Sequence, residues 1–334
     1  MAAPARGIRG RRVLVTGACG FIGSHLVERL VREGARVTAF VRYTSRGDIG
    51  LLRFASAEVR DEIAVVAGDL RDADAVRGAC RGQDLVFHLG ALIAIPYSYV
   101  HPREVVETNV LGTLNVLEGA RAHGVSRVVH TSTSEVYGTA ERVPIGEDHP
   151  RAAQSPYAAS KTGADQIARS YHRSFGTPVA TLRPFNTYGP RQSDRAVIPT
   201  IIAQALASDR VRLGSLTPTR DLTFVSDTVE GFVRCASAPG AVGEEINLGT
   251  GTEITIGALA ERIIALVGRP VRITREKARV RPAKSEVERL ISDYGKAKRI
   301  LGWKPAVPLD RGLRETIAFV EKHMDLYMPG RYRI

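Results

Sequence analysis

A short β-branched run ends in Thr16-Gly17-Ala18-Cys19-Gly20-Phe21-Ile22-Gly23, and this stretch constrains the fold more tightly than any other in the chain. Glycine at the first position permits a tight turn, and at the second it lets backbone approach a pyrophosphate. A third glycine lets the following helix pack close to the strand. Ile22, Leu26, Val27, Leu30 and Val31 then recur with the spacing of one helix face. A strand, a glycine turn and an amphipathic helix in this order predict a dinucleotide-binding βα unit.

The rest of the first half repeats the alternation. Predicted strands are 12–16, 36–41, 63–67, 84–89, 127–132 and 179–184, with helical patterns between them, including 104–123 and 157–175. Alternation of this kind specifies an α/β fold with a doubly wound parallel sheet of Rossmann type. After Gly189 the alternation stops. Helices are predicted over 199–208, 257–267 and 314–324, with a short strand over 210–213. We expect a basic tail over 1–11, a dinucleotide-binding domain over 12–189 and a smaller C-terminal substrate-binding lobe over 190–334. Residues 221–249 partly return to the first domain.

With 334 residues, of which 44% are hydrophobic, the chain can bury a sizeable core. No stretch has the roughly 20 apolar residues of a membrane span, and the N-terminus lacks the apolar core of a signal peptide. A cytoplasmic protein without a membrane partner is expected. Cys19, Cys80 and Cys235 are too few and too scattered for a disulfide framework or a metal site. The net charge of +12 would suit a polyanion, yet the arginines are dispersed and no basic-aromatic motif is present. Nucleic acid is therefore not an expected partner.

The end of the second strand should meet the adenosine ribose, where an acid selects NAD and an arginine admits the 2′-phosphate of NADP. Val41 and Arg42 stand there, with Ser45 and Arg46 following, so NADP is favoured over NAD. Asp69 and Leu70 after the third strand are placed for adenine, and Leu89, Gly90 and Ala91 after the fourth for the pyrophosphate side. Tyr157 and Lys161 are four residues apart and share a helix face. An ammonium beside a phenol favours the phenolate, which makes Tyr157 a candidate general base toward a sugar hydroxyl.

With these residues the sequence resembles the extended short-chain dehydrogenase/reductases that act on nucleotide sugars. Further matching segments are Asn109 in Thr108–Thr113, Thr131-Ser132-Thr133-Ser134-Glu135-Val136-Tyr137-Gly138, Arg183-Pro184-Phe185-Asn186, Tyr188-Gly189-Pro190-Arg191 and Leu301-Gly302-Trp303. The resemblance implies that Asn109, Thr131, Lys161 and Pro184 serve the cofactor, and that Tyr157, Thr133, Ser134 and Glu135 face the sugar. It also implies that Asn186, Arg191, Arg220 and Arg281 hold the diphosphate, a task that suits arginine's planar fork. Each of these arginines, taken alone, would pass for a solvated surface residue.

Glu135 narrows the chemistry. The 4-epimerases of the family typically carry a small or neutral residue there, whereas 4,6-dehydratases use a carboxylate on the C5 proton. An Asp-Glu pair marks the glucose-type dehydratases; Ser134-Glu135 resembles the enzymes for GDP-mannose and nucleotide-activated N-acetylhexosamines. The expectation is an NDP-hexose 4,6-dehydratase, working through tightly bound NAD(P) as a homodimer formed by helices 104–123 and 157–175. UDP-glucuronate decarboxylase is the nearest rival, followed by a 4-epimerase. A non-catalytic NAD(P)-binding regulator would not need Tyr157, Lys161 and Glu135. His25, His130 and Trp303 are read as structural.

Overall fold

The structure is a computed structural model that describes residues 7–330. Six strands form close to their predicted bounds: β1 (Arg12–Thr16), β2 (Arg36–Arg42), β3 (Ile63–Gly68), β4 (Leu85–His88), β5 (Arg127–Thr131) and β6 (Val179–Pro184). A seventh strand, Glu245–Leu248, pairs with β6. Among the described residues these seven make one parallel sheet, ordered from Glu245–Leu248 through β6, β5, β4, β1 and β2 to β3. Strand order reverses between β1 and β4. In an open α/β sheet this reversal opens the crevice where a ligand sits.

Period-two alternation sends neighbouring residues into opposite layers. Val13, Val15 and Phe87 enter the core shared with α1 (Phe21–Arg32) and the helix Val225–Ser237. Leu14 and Val86 enter the other core, beneath the helices Ala73–Cys80, Gly112–Ala122 and Pro156–Phe175. Each such fully buried aliphatic side chain contributes roughly 1.5–3 kcal/mol. The helix Pro156–Phe175 starts where Ser155 accepts from the Ala158 amide at 3.1 Å and Pro156 presets the first turn. It stops at Gly176, whose φ of 65° is left-handed.

Beyond Gly189 the helices Val197–Ala207, Ile256–Val267 and Leu309–Lys322 pack on one another, beside short strands that include Arg210–Leu213 paired with Arg272–Arg275. Apolar residues of this lobe are continuous with the α1 core. Trp303 is buried there, and its indole N–H donates to the Asp227 carbonyl at 2.8 Å.

Three expectations need correction. The last long helix begins at Leu309 rather than 314, since Pro308 precedes it as an extended N-cap. The helical stretch 104–123 is in three pieces, Pro102–Val106, a π-turn over Glu107–Leu111, and Gly112–Ala122. The wide turn directs Asn109 inward to Leu92 and Ser160. The predicted tail is docked over residues 7–11: Ile8 is 1% exposed and the Gly10 amide donates to Gly34. Residues 1–6 of that tail lie outside the described residues. No helix among the described residues is long and apolar enough to cross a membrane.

Candidate active site

The glycine loop follows β1 with no space to spare. Gly17 has a φ of +67°, and a Cβ there would meet the Gly90 amide nitrogen at 2.7 Å. A Cβ on Gly23 would lie 2.1 Å from the Gly17 carbonyl oxygen. Larger residues at either position would push α1 off the sheet. Gly20 is the N-cap of α1 and offers no side-chain acceptor, and the first turn, which includes Phe21 and Ile22, carries no acid. The positive end of the helix dipole is therefore left for an anion, as a dinucleotide pyrophosphate requires.

Around this loop Arg42 is largely exposed and lies 3.7 Å from Glu104. Ser45 and Arg46 are exposed beside it. Asp69 is clamped by Arg71, which donates to both carboxylate oxygens, at 3.0 and 2.7 Å. That contact holds the Asp69 carboxyl down at about 2. Leu70 packs against Gly90 and Gly112, and Leu89 packs toward the α1 core with Ala91 half-buried after it. Thr131 and Pro184 end adjacent strands, and the buried Thr131 hydroxyl has no hydrogen-bond partner among the described residues. Asn109 ties structure together as well: its amide bonds Leu92 in both directions, at 2.8 and 2.9 Å, and Ser160 at 2.9 Å.

Tyr157 and Lys161 are both buried, at 7% and 4% exposure, on the helix Pro156–Phe175. Burial raises the Tyr157 phenol well above its usual range; Thr133, as a hydrogen-bond partner, lowers it, and the charge of Glu135 raises it. Desolvation, and not the Lys161 ammonium, dominates this phenol. Burial also brings the Lys161 ammonium down to about 8, against the pull of Asp165. Among the described residues no hydrogen bond or ion pair holds this ammonium, which fits it to receive a ribose diol. Thr133 caps the short helical turn Ser134–Tyr137 by accepting from the Glu135 amide at 3.3 Å. Thr133, Ser134 and Glu135 are thus presented from the end of β5, beside Tyr157.

Arg220 and Arg281 come together in the lobe, where a single Glu286 oxygen accepts from Arg220 at 3.2 Å and Arg281 at 3.5 Å. Arg220 is buried and also feels the charge of Glu135, which brings the arginine pair toward the end of β5. Asn186 follows β6 by two residues, and its buried amide nitrogen has no hydrogen-bond partner among the described residues. Arg191 is elsewhere. Its guanidinium reaches Glu28 at 2.8 Å and the Phe54 carbonyl at 3.1 Å, so it locks α1 to the following segment and leaves the diphosphate set. His25 donates from Nε2 to the Pro190 carbonyl at 3.0 Å, and burial, with Arg191 beside it, lowers its ring to about 4.

Sequence reasoning missed the layer beneath Lys161. Asp165 is fully buried and receives the Ser132 hydroxyl at 2.7 Å and Arg183 at 2.9 Å, with His130 Nε2 at 3.1 Å. Arg183 also reaches Tyr137 at 2.8 Å and Glu245 at 2.9 Å. A signal was available, since an arginine inside the apolar run Val179–Pro184 requires a buried carboxylate.

A glycine loop set for pyrophosphate, a buried Tyr157/Lys161 pair beside Glu135 and an arginine pair at the same place define a nicotinamide-dependent enzyme of the short-chain dehydrogenase type. The chain belongs to the GDP-mannose 4,6-dehydratase family, whose model matches residues 14–316. It is 36% identical to the UDP-glucose 4-epimerase of Mycolicibacterium smegmatis, covering 92% of this chain and 98% of that one. Identity to the dTDP-glucose 4,6-dehydratase of an Actinoplanes species is 35%, over 92% and 97% of the two chains. The solved dTDP-glucose 4,6-dehydratase DesIV of Streptomyces venezuelae, with NAD bound, superposes with a TM-score of 0.86 at 33% identity, over 95% and 98%. Relatives divide among dehydratases, epimerases and UDP-glucuronic acid decarboxylases, so the family places a nicotinamide cofactor and a nucleotide sugar in this class of enzyme without choosing the reaction.

Proposed function

We propose that the chain is an NDP-hexose 4,6-dehydratase releasing a 4-keto-6-deoxy sugar nucleotide. The observation that carries this reading is Glu135, a carboxylate presented from the end of β5 beside Tyr157. Oxidation at C4 alone needs Tyr157 and a hydride acceptor; a carboxylate has further work where a carbon-bound proton must also be taken. Tyr157 removes the O4 proton as C4 becomes a ketone, which acidifies the C5 hydrogen. Glu135 takes that proton and returns it to the departing C6 hydroxyl, which leaves as water; hydride then adds at C6 and a solvent proton at C5, with Thr133 hydrogen-bonding near O4 and Ser134 near O6. When bound, the nicotinamide supplies hydride storage between C4 and C6.

The bare N-terminus of α1, Gly17, Gly20, Gly23 and Lys161 hold the dinucleotide. Asn186, Arg220 and Arg281 hold the substrate diphosphate, and N-acetylated hexoses are included in the substrate class. Incubation with UDP- and GDP-hexoses, N-acetylated and not, gives a product 18 Da lighter. A loss of 44 Da from a uronate, or an unchanged mass with inverted C4, would overturn the reading.

Arg42, Ser45 and Arg46 favour NADP over NAD. Titration of the cofactor-depleted protein then gives tighter binding of NADP, and Arg42→Ala narrows the gap by about tenfold, the value of one charge-assisted phosphate contact. Equal affinities in the parent overturn this preference. A homodimer through helices 104–123 and 157–175 is supported by Val106, Leu111 and Phe175, exposed by 43%, 47% and 55% on that face; a sedimentation mass twice that of the chain is the expected result.

A further inference from the structure

Asp165 lies one helical turn beyond Lys161, which puts the two side chains on the same face of the helix Pro156–Phe175. Its carboxylate is 0% exposed and is fixed from two strands, by His130 and Ser132 at β5 and by Arg183 at β6. A sealed ion pair of this kind is no simple source of stability. Two charges withdrawn from water lose several kcal/mol each, and an apolar pair of equal volume commonly serves as well. The Asp165–Arg183 pair has a neighbour that does need a charge, namely the Lys161 ammonium, buried and without an acceptor.

We propose that Asp165 is a positioning residue for Lys161: the anchored carboxylate holds the ammonium protonated and on the Tyr157 side of the helix. This rests on the role given to Lys161 above. Every other titratable or charged group around that ammonium opposes it or leaves it unsupported. Tyr157, on the same helix, is neutral when protonated. His88 at the end of β4 and His130 on β5 are fully buried with their rings 5.7 Å apart; desolvation, together with the Lys161 charge, keeps both in the neutral form. Arg183 on β6 carries positive charge but is spent on Asp165, Tyr137 and Glu245. Asp165 keeps its own charge because Arg183, His130 and Ser132 outweigh the cost of its burial.

The sign follows directly. Burial lowers the lysine and Asp165 raises it back toward about 8. Loss of the carboxylate charge therefore lets the ammonium deprotonate at lower pH, and the ribose and phenol contacts are lost earlier as pH rises. The chain has only seven lysines, so ¹³C labelling of lysine gives a resolvable spectrum in which Lys161→Met assigns the signal.

In the full-length protein, Asp165→Asn is expected to move the Lys161 midpoint down by about one pH unit or more. The basic limb of kcat/KM should move in the same direction, and Asp165→Glu should restore both. Asn at this site strands Arg183, so a second variant, Asp165→Leu with Arg183→Met, removes both charges together and leaves Glu245 paired with Arg151. The same downward shift is expected there. Unchanged Lys161 midpoints in whichever variants fold, with only the melting temperature altered, would make Asp165 a structural residue and overturn the proposal. The lysine titration needs no substrate, so it stands or falls separately from the dehydratase reading.

Discussion

Glu135→Gln is expected to cut formation of the 4-keto-6-deoxy product by roughly 10²–10⁴-fold, the range for loss of a positioned general base. This corresponds to about 2.7–5.4 kcal/mol of transition-state stabilisation. Glutamine keeps the size of the side chain and the backbone bond from Glu135 N–H to Thr133. It cannot take a proton. Turnover in D₂O sharpens the result: the parent enzyme should deliver deuterium to C5 of its product, and the variant should not, while Tyr157 still serves O4. A parent-like rate with deuterium at C5 would show that another group performs the elimination, and Glu135 would lose its part in the mechanism.

Tyr157→Phe should be more complete, because it removes the first proton transfer and with it every later step. A fall of about 10³-fold or more in kcat is expected, with KM for the nucleotide sugar little changed, since the diphosphate arginines are untouched. The ring stays packed at 7% exposure, and the main structural loss is the contact with Thr133, worth about 1 kcal/mol. A melting temperature within a few degrees of the parent therefore separates lost chemistry from lost folding. Retention of C4 oxidation in this variant would move the base elsewhere. The pH profile gives an independent check. Burial raises the Tyr157 phenol, so Lys161 loses its charge, on passing about 8, before the phenol ionises. Cofactor affinity, which depends on the ammonium, should therefore fall as pH passes about 8.

Local signals carried most of the sheet. β1 and β6 have the predicted bounds because β-branched runs end at glycine or proline, and the glycine loop announced its own geometry. Glu245–Leu248 is not legible as a strand, because four alternating residues are too short a run to stand out beyond the point where strand-helix alternation stops; its place comes from pairing with β6 and from Arg183 reaching Glu245. The π-turn at Asn109 has no local signature either, since three distant hydrogen bonds hold it. Tyr157 and Lys161 are legible through residue type and spacing, and Glu135 through the family resemblance; the three do assemble. Arg191 was assigned by position in a motif, yet a φ of 70° and the carboxylate of Glu28 turn it toward α1. Side-chain direction of that kind is a tertiary property.

One hydrogen-bonded chain runs through the centre of the molecule, from Thr16 to His88 at 2.8 Å, on to Thr113 at 3.0 Å, then through the Asn109 carbonyl at 2.6 Å and its amide to Ser160. It crosses from the cofactor loop to the helix that carries Tyr157 and Lys161 without passing through the lobe. Mechanically it is a brace. The brace ties the end of β1 to that helix entirely within the sheet half of the protein. Any yielding needed to admit a bulky nucleotide falls to the seams on the other side, such as Tyr99 against Ser285 and Gln154 against the 284–286 backbone. Accuracy and access are thereby given to different parts of one chain, and substrate range can be altered in the second without loosening the first.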